Sequence, residues 1–428
     1  MRNHKSILVV NSGFPEINQL AAALASENLL SRYIRPYANL GRGWERVLAG
    51  LPAFGRTYSH TLGRRVLPEP LDTSCVSAAA VGLDFAMAVH ARLSFSSEWY
   101  RGLRKKLMYR LGDAIAEAGA KALSDEHMVV ASWHCALPVF QKAARCGTIR
   151  VLNYPLAHHA FTRRYLQEEA ELEPTFSATL NSHDRPQWQI DQLNREIELA
   201  NHILIGSSFV KDTFVAEGVP EEKLTVIPYG TDTTFFQPPF EKQCCPDRFN
   251  VLFVGQISQR KGLSYLLRAY ERIHGPGTSL TLVGQLMEND GGDSLRNWRH
   301  FLRHVPHVPR TELAVLFQQA DVFVFPTLVE GMGLVVIEAM ASGLPVITTP
   351  NGPGDIVRDG MDGFIVPPRD VDALVDRLER LRDDPELRFQ MAANAKSRSE
   401  EFTWERYRHS AVSEIHQWLG HGNKPEPI

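Results

Sequence analysis

The chain alternates, almost from end to end, between short apolar runs rich in Val, Ile and Leu and longer stretches whose apolar residues recur at helical spacing. A continuous apolar run of about four to eight residues suits a strand buried on both faces, and such strands joined through helices make a parallel sheet. The first half reads as a strand over 6–10, a helix over 17–30 after a loop with Gly13 and Pro15, a strand over 128–131, a helix over 136–144 and a strand over 149–152. Residues 33–71 are punctuated by Gly and Pro and take no assignment. Further on, Ile190, Leu193 and Ile197 lead into a strand over 203–206, then a helix capped by Ser207 and Ser208 that stops at Gly218, then a strand over 225–227. After Arg248 the pattern restarts: strands over 250–254, 280–283, 322–325 and 345–348, with helices over 263–273, 311–320 and 333–342.

A length of 428 residues with 44% hydrophobic content suffices for two such domains, each with its own core. Residues 228–246 hold Pro228, Pro238, Pro239 and Pro246 and little periodicity, which marks the boundary. The expected organisation is a Rossmann-like domain over 1–228, a linker over 229–248, a second Rossmann-like domain over 249–402, and a terminal helix and tail over 403–428.

Charge is near balance, 46 basic against 49 acidic residues, so nothing global marks the chain for nucleic acid. Residues 1–110 nevertheless carry 15 Lys plus Arg against 7 Asp plus Glu. Part of that surplus, Arg101, Arg104, Lys105, Lys106 and Arg110, is interleaved with Trp99, Tyr100, Leu103, Leu107, Met108 and Tyr109. Such a stretch reads either as a helix packed on its own domain or as one attracted to anionic lipid or a pyrophosphate-linked acceptor. Cys75, Cys135, Cys146, Cys244 and Cys245 form neither a disulfide framework nor a CxxC metal pair, which suits a reducing cytoplasm. The longest apolar stretch, 76–89, is broken by Asp84 and falls short of the roughly 20 residues of a membrane span, so membrane contact is expected to be peripheral.

Two segments carry chemistry. In FPTLVEGMGLVVIEAMASGLPVI, 325–347, a strand ends, a loop brings Glu330, Gly331 and Gly333, and an apolar helix follows with Glu338 inside it. Eight residues of helical rise put the two carboxylates roughly 12 Å apart, a pair suited to gripping hydroxyls. The free amides of Gly331, Met332, Gly333 and Leu334 at the helix mouth favour an anion. In VLFVGQISQRKGLSYLLRAY, 251–270, Gly255 ends a strand and Gly262 opens a helix, with Arg260 and Lys261 between. Two cations there suit a diphosphate without a metal.

These segments resemble the retaining GT-B glycosyltransferases of family 4, also called group 1 glycosyl transferases. Glu330 and Glu338 match that family's E-x7-E motif, and 251–269, 226–232, 320–326 and 351–366 are similar to its other conserved stretches. The resemblance covers roughly 200–410 and is faint before Met128. It implies an α/β GT-B fold, two Rossmann-like domains facing a cleft, and transfer from a nucleotide-sugar donor to a glycan or lipid-linked acceptor, with retention and no cofactor. Residue by residue it implies Lys261 on the diphosphate, Glu338 on the ribose, Glu330 at the transferred sugar, and Gly255 and Gln256 beside the donor. Gln256 stands where many members carry Arg, with Arg260 as the substitute charge. It further implies a first-domain His near the sugar, for which His158 or His159 fits, with Asn153 assisting, His134 as a weaker candidate and Gly13 on the acceptor side. A nucleotide-sugar epimerase, a phosphorylase and a catalytically silent binder of the same fold remain the competing readings.

Overall fold

The computed structural model describes residues 6–40, 43–50, 65–90, 98–180, 185–238, 248–287 and 293–420. Cys244 and Cys245, most of the expected linker after Pro238 and the tail after Gly420 lie outside them.

Two parallel sheets organise the chain. The first has β1 (Ile7–Val10), β2 (Leu30–Arg35), β3 (Val76–Ala78), β4 (Met128–Ser132), β5 (Ile149–Asn153), β6 (His202–Ile205) and β7 (Leu224–Val226), in the order β3-β2-β1-β4-β5-β6-β7. The second has β8 (Phe249–Val254), β9 (Thr278–Val283), β10 (Leu302–Val305), β11 (Val322–Phe325), β12 (Val346–Thr348) and β13 (Gly363–Ile365), in the order β10-β9-β8-β11-β12-β13. Both orders reverse direction next to their first strand, the pattern of the Rossmann fold. Helices cover both faces, which is why Ile7–Val10 and Val322–Phe325 read as unbroken apolar runs and are fully buried. No helix among the described residues is long and apolar enough to cross a membrane.

The strands over the central positions and the edge strand β7 agree with the sequence reading to within a residue or two, and β2, β3, β10 and β13 had no counterpart in it. The first helix is Pro15–Ser26 rather than 17–30: Pro15 takes the first turn, and Asn28, at φ 55, turns the chain back into β2. The apolar stretch over 76–89 is divided between β3 and the helix Val81–His90. Strand β10 escaped detection because it is an edge strand with Arg303 and His304 among only half-buried neighbours.

The helix Trp404–Gly420 leaves the second domain and lies on the first. It packs on the helix Pro15–Ser26, where Arg408 Nε donates to Gln19 Oε1 at 2.7 Å, and the Trp418 ring stacks on His202 at 4.2 Å. Tyr407, Ala411, Ile415 and Leu419 are buried beneath it, in a core continuous with that of both sheets.

Candidate active site at the facing strand ends

Gly255 and the exposed Gln256 follow strand β8, and a tight turn over Gln259–Lys261 leads to Gly262. Gly262 sits at φ 72, and a Cβ there would overlap the carbonyl oxygen of Pro326, so only glycine lets the loops after β8 and β11 touch. That contact brings the cations to Glu330. The Lys261 ammonium is paired with the Glu330 carboxylate and lies 4.8 Å from the centre of the Phe325 ring. Arg260 Nη1 is 3.3 Å from the same Oε2 and donates to the Val329 carbonyl at 2.8 Å. Burial pushes the Arg260 guanidinium down to about 10. Burial, then the neighbouring Arg260, push the Lys261 ammonium well below the ordinary lysine range, while the Glu330 carboxylate against it acts the other way. A buried and a partly buried cation therefore share one carboxylate, and an anion that displaced Glu330 would meet both.

The helix Leu334–Ala341 starts two residues beyond Met332, with Gly333 at φ 84 and no side-chain cap. Met332 is committed to packing: its sulfur accepts from Tyr229 N–H at 2.9 Å. Glu338 stands apart from the Lys261 cluster. Arg310 at 3.9 Å is the cation paired with it, and burial pushes its carboxyl up to about 7 despite that neighbour.

The first domain braces both loops. A Cβ on Gly331 would overlap the carbonyl oxygen of Pro155, beyond β5, and Ser207 Oγ, beyond β6, donates to the Gly331 carbonyl. Glu169, fully buried on the helix His159–Leu172, accepts from Gln259 Nε2 at 2.7 Å, from Tyr265 Oη at 2.8 Å and from Arg369 Nε at 2.8 Å. The Gln259 amide donates to Thr179 Oγ1 at 2.9 Å. The turn bearing Arg260 and Lys261 is thus positioned from across the cleft. Sequence reasoning missed Glu169: a lone Glu in a charged run looks solvated, and only its two-sided burial marks it.

His158 and His159 open that same helix. Each is 5% exposed; burial first, then a neighbouring cationic or imidazole group, pushes them down to about 3 and about 4. His158 Nδ1 accepts from the Ala160 amide at 3.3 Å, its ring meets Phe214, and His159 Nδ1 lies 3.3 Å from Tyr154 Oη. These contacts stay within the first domain and do not bring either imidazole to Lys261, Glu330 or Glu338. His134, at φ 68 and pushed down to about 3 by burial, has its amide held by Glu196. Asn153 Nδ2 donates to Glu16 Oε1 at 3.0 Å, and its Oδ1 is buried without a partner. Gly13, at φ 129, donates through its amide to Asn11 Oδ1 at 2.8 Å, which shapes the loop after β1.

The family described as "Glycosyl transferases group 1" matches residues 239–398, the stretch that holds Gly255, Lys261, Glu330 and Glu338. That match takes in nearly all of the second domain and does not reach the first. Among sequence relatives, a D-inositol 3-phosphate glycosyltransferase of Paenarthrobacter aurescens is 29% identical over 53% of this chain and 60% of that protein. A glycogen synthase of Mycobacterium tuberculosis is 35% identical over 36% of this chain and 39% of that protein. The chain thus matches between about two fifths and three fifths of these relatives. Solved structures extend the fold over both domains. A sucrose-phosphate synthase from Thermosynechococcus elongatus aligns with TM-score 0.65 at 19% identity, covering 98% of this chain and all of that one. Anabaena HepE in complex with UDP-glucose aligns with TM-score 0.62 at 15% identity, over 96% and 99%. The architecture is GT-B, two Rossmann-like domains around the site just described.

Proposed function

We propose that this chain is a glycosyltransferase that takes a sugar from a nucleotide-diphosphate donor, in the manner of the retaining family 4 enzymes. The observation that carries the reading is the largely buried Arg260–Lys261–Glu330 cluster inside the stretch that matches the group 1 family. In a transfer, the acceptor oxygen bonds to the anomeric carbon, the bond from that carbon to the diphosphate oxygen breaks, and the acceptor proton passes to a departing phosphate oxygen. The diphosphate gains negative charge as it leaves. Lys261 and Arg260, released from Glu330, stabilise it, with the amides of Gly331, Met332, Gly333 and Leu334 and the Gly255–Gln256 turn beside them. Glu330, freed from its cations, faces the sugar; Glu338 accepts from the ribose hydroxyls. His159 holds Tyr154, the residue before Pro155, and transfer proceeds on the same face without a metal. The acceptor is a glycan or lipid-linked hydroxyl, met at a cytoplasmic membrane face, as in the assembly of a polysaccharide.

A panel of UDP-, GDP- and ADP-sugars tests this, since a ligand bound only by the folded state raises the melting point. One donor class is expected to raise it and to release nucleoside diphosphate slowly without acceptor, in excess EDTA as in its absence. Binding without release from any donor would favour the silent binder, and inversion of the sugar without transfer the epimerase. Release lost in EDTA and restored by Mg2+ would overturn the metal-free account of the leaving group.

A further inference from the structure

A cavity of about 580 Å³ opens in the first domain at the ends of β1 and β4 and belongs to none of the groups assigned above to the donor. Its walls are aromatic: Phe14, Tyr109, Trp133 and Trp188 line it, with Met108 and Ile115 completing the apolar surface. The rings brace one another, Tyr109 against Trp188 at 5.0 Å and Phe14 against Trp133 at 6.4 Å. Free apolar area of this kind, 49% of Trp188 exposed, is stabilised by covering it with an apolar body.

Polar groups interrupt the apolar lining, Ser12, Gln189 and Gln192 among them. The Arg185 guanidinium lies 5.2 Å over the Trp133 ring, with Nη1 3.1 Å from His134 Nε2. His134 is neutral, so it accepts from Arg185 and leaves the cationic charge whole; among the described residues Arg185 has no carboxylate in an ion pair. Trp133 is 5% exposed and its indole N–H is buried without an acceptor. Lys105 adds a second cation and Asp113 one carboxylate, whose pKa burial raises. Two cations, Arg185 and Lys105, face a single carboxylate across one aromatic space, and that surplus of positive charge calls for an anionic oxygen.

Packing also links the cavity to the donor loop. Trp133 packs on Tyr154 at 4.7 Å, and the next residue, Pro155, meets Gly331 of the donor loop. From this we infer that the cavity is the acceptor site and that it takes an amphiphile, an apolar or aromatic body carrying a phosphate or carboxylate, rather than a neutral glycan chain. The acceptor role rests on the glycosyltransferase reading; the preference for an anionic amphiphile does not.

Tryptophan fluorescence of the full chain, titrated with octyl phosphate below its micelle concentration, with octyl glucoside and with inorganic phosphate, separates the two parts. Octyl phosphate is expected to quench saturably at a concentration at least tenfold lower than either control. Arg185→Ala should abolish that preference, and Trp188→Ala should weaken binding severalfold, both with unchanged far-UV circular dichroism. Equal binding of octyl phosphate and octyl glucoside, or a preference that survives Arg185→Ala, would overturn the inference. Co-sedimentation with phosphatidylcholine vesicles containing phosphatidic acid, lost in Arg185→Ala, identifies a lipid phosphate as the source; quenching without co-sedimentation identifies a free one. The donor-induced melting shift is read on the same variants. A chain that shows no donor shift but keeps the octyl phosphate preference fails as a glycosyltransferase while its anionic cavity stands.

Discussion

The two domains share a strand order and differ in where they keep their chemistry. In the second, Arg260, Lys261 and Glu330 come from two strand-end loops and Glu338 from the helix that follows the second of them. In the first, the cavity draws on Phe14, Tyr109, Trp133, Arg185 and Trp188, from four separated stretches of chain. A diphosphate is a compact double charge, answered by amides at a helix start and a cation or two beside them, so its receptor fits within one strand–loop–helix unit. An apolar body is enclosed by side-chain area, which no single loop supplies.

The largest test of that contrast is removal of the loop chemistry. Lys261→Ala is expected to cut nucleoside diphosphate release by roughly 10²–10³-fold, the scale of losing one preorganised group at a developing negative charge. Gly331→Ala should act as strongly for another reason, since its Cβ meets the backbone of Pro155 and forces the domains apart. Kinetics with saturating donor on both variants decide the matter. A wild-type rate in Lys261→Ala would mean that the second domain does not hold the chemistry assigned to it.

A smaller effect probes the joint between the domains. Glu169→Ala removes one carboxylate from Gln259, Tyr265 and Arg369. Leaving a partly buried guanidinium short of a partner costs about 2–3 kcal/mol, less than for a fully buried pair because Arg369 keeps Glu168 and some exposure. The melting point should fall and the donor KM rise, with Glu169→Gln recovering part of each through its retained amide oxygen. Loss of stability with an unchanged donor KM would show that the brace holds the fold without positioning Arg260 and Lys261.

This division also sets what the sequence disclosed. The strands around β8 and β11 and their loops were legible because burial on both faces demands unbroken apolar runs, and because the touching loops demand glycine at Gly262 and Gly331. The first domain's periphery was not. Leu30–Arg35 mixes Ser and Arg into a strand, and Leu302–Val305 mixes Arg and His into one at the other sheet's edge. Trp133 and Arg185 meet only in three dimensions, 52 positions apart in the chain. The basic helix was readable as a helix, yet nothing in its own residues says that Lys105 and Tyr109 face a cavity. His158 and His159 were singled out by the family resemblance and their place after β5, and the fold sets them at the start of a helix, where burial pushes both imidazoles down.

The smallest test compares buried carboxyls, one in each domain. Burial pushes both Glu16, in the first turn after β1, and Glu338 up to about 7. Glu16 is fully enclosed; Asn153 donates to it, and the buried hydroxyls of Tyr229 and Tyr407 near it have no partner. A carboxyl with a folded pKa near 7 and an ordinary value of 4.5 holds its proton in the folded chain while the unfolded chain has released it. Its contribution is therefore whole below pH 4.5 and is lost as pH rises towards 7, beyond which it stays constant. Glu16→Gln keeps an acceptor for Asn153 and carries no proton to lose, so the variant should gain on the wild type by about 1 kcal/mol between pH 6 and pH 8. Melting points of the pair across that range measure it, and the difference cancels the slope that Glu196, also pushed up to about 7, gives to both. The donor-induced melting shift should persist in Glu16→Gln and vanish in Glu338→Gln. If both variants lost the donor shift, the first domain would share the donor's recognition and the contrast between the two halves would fail.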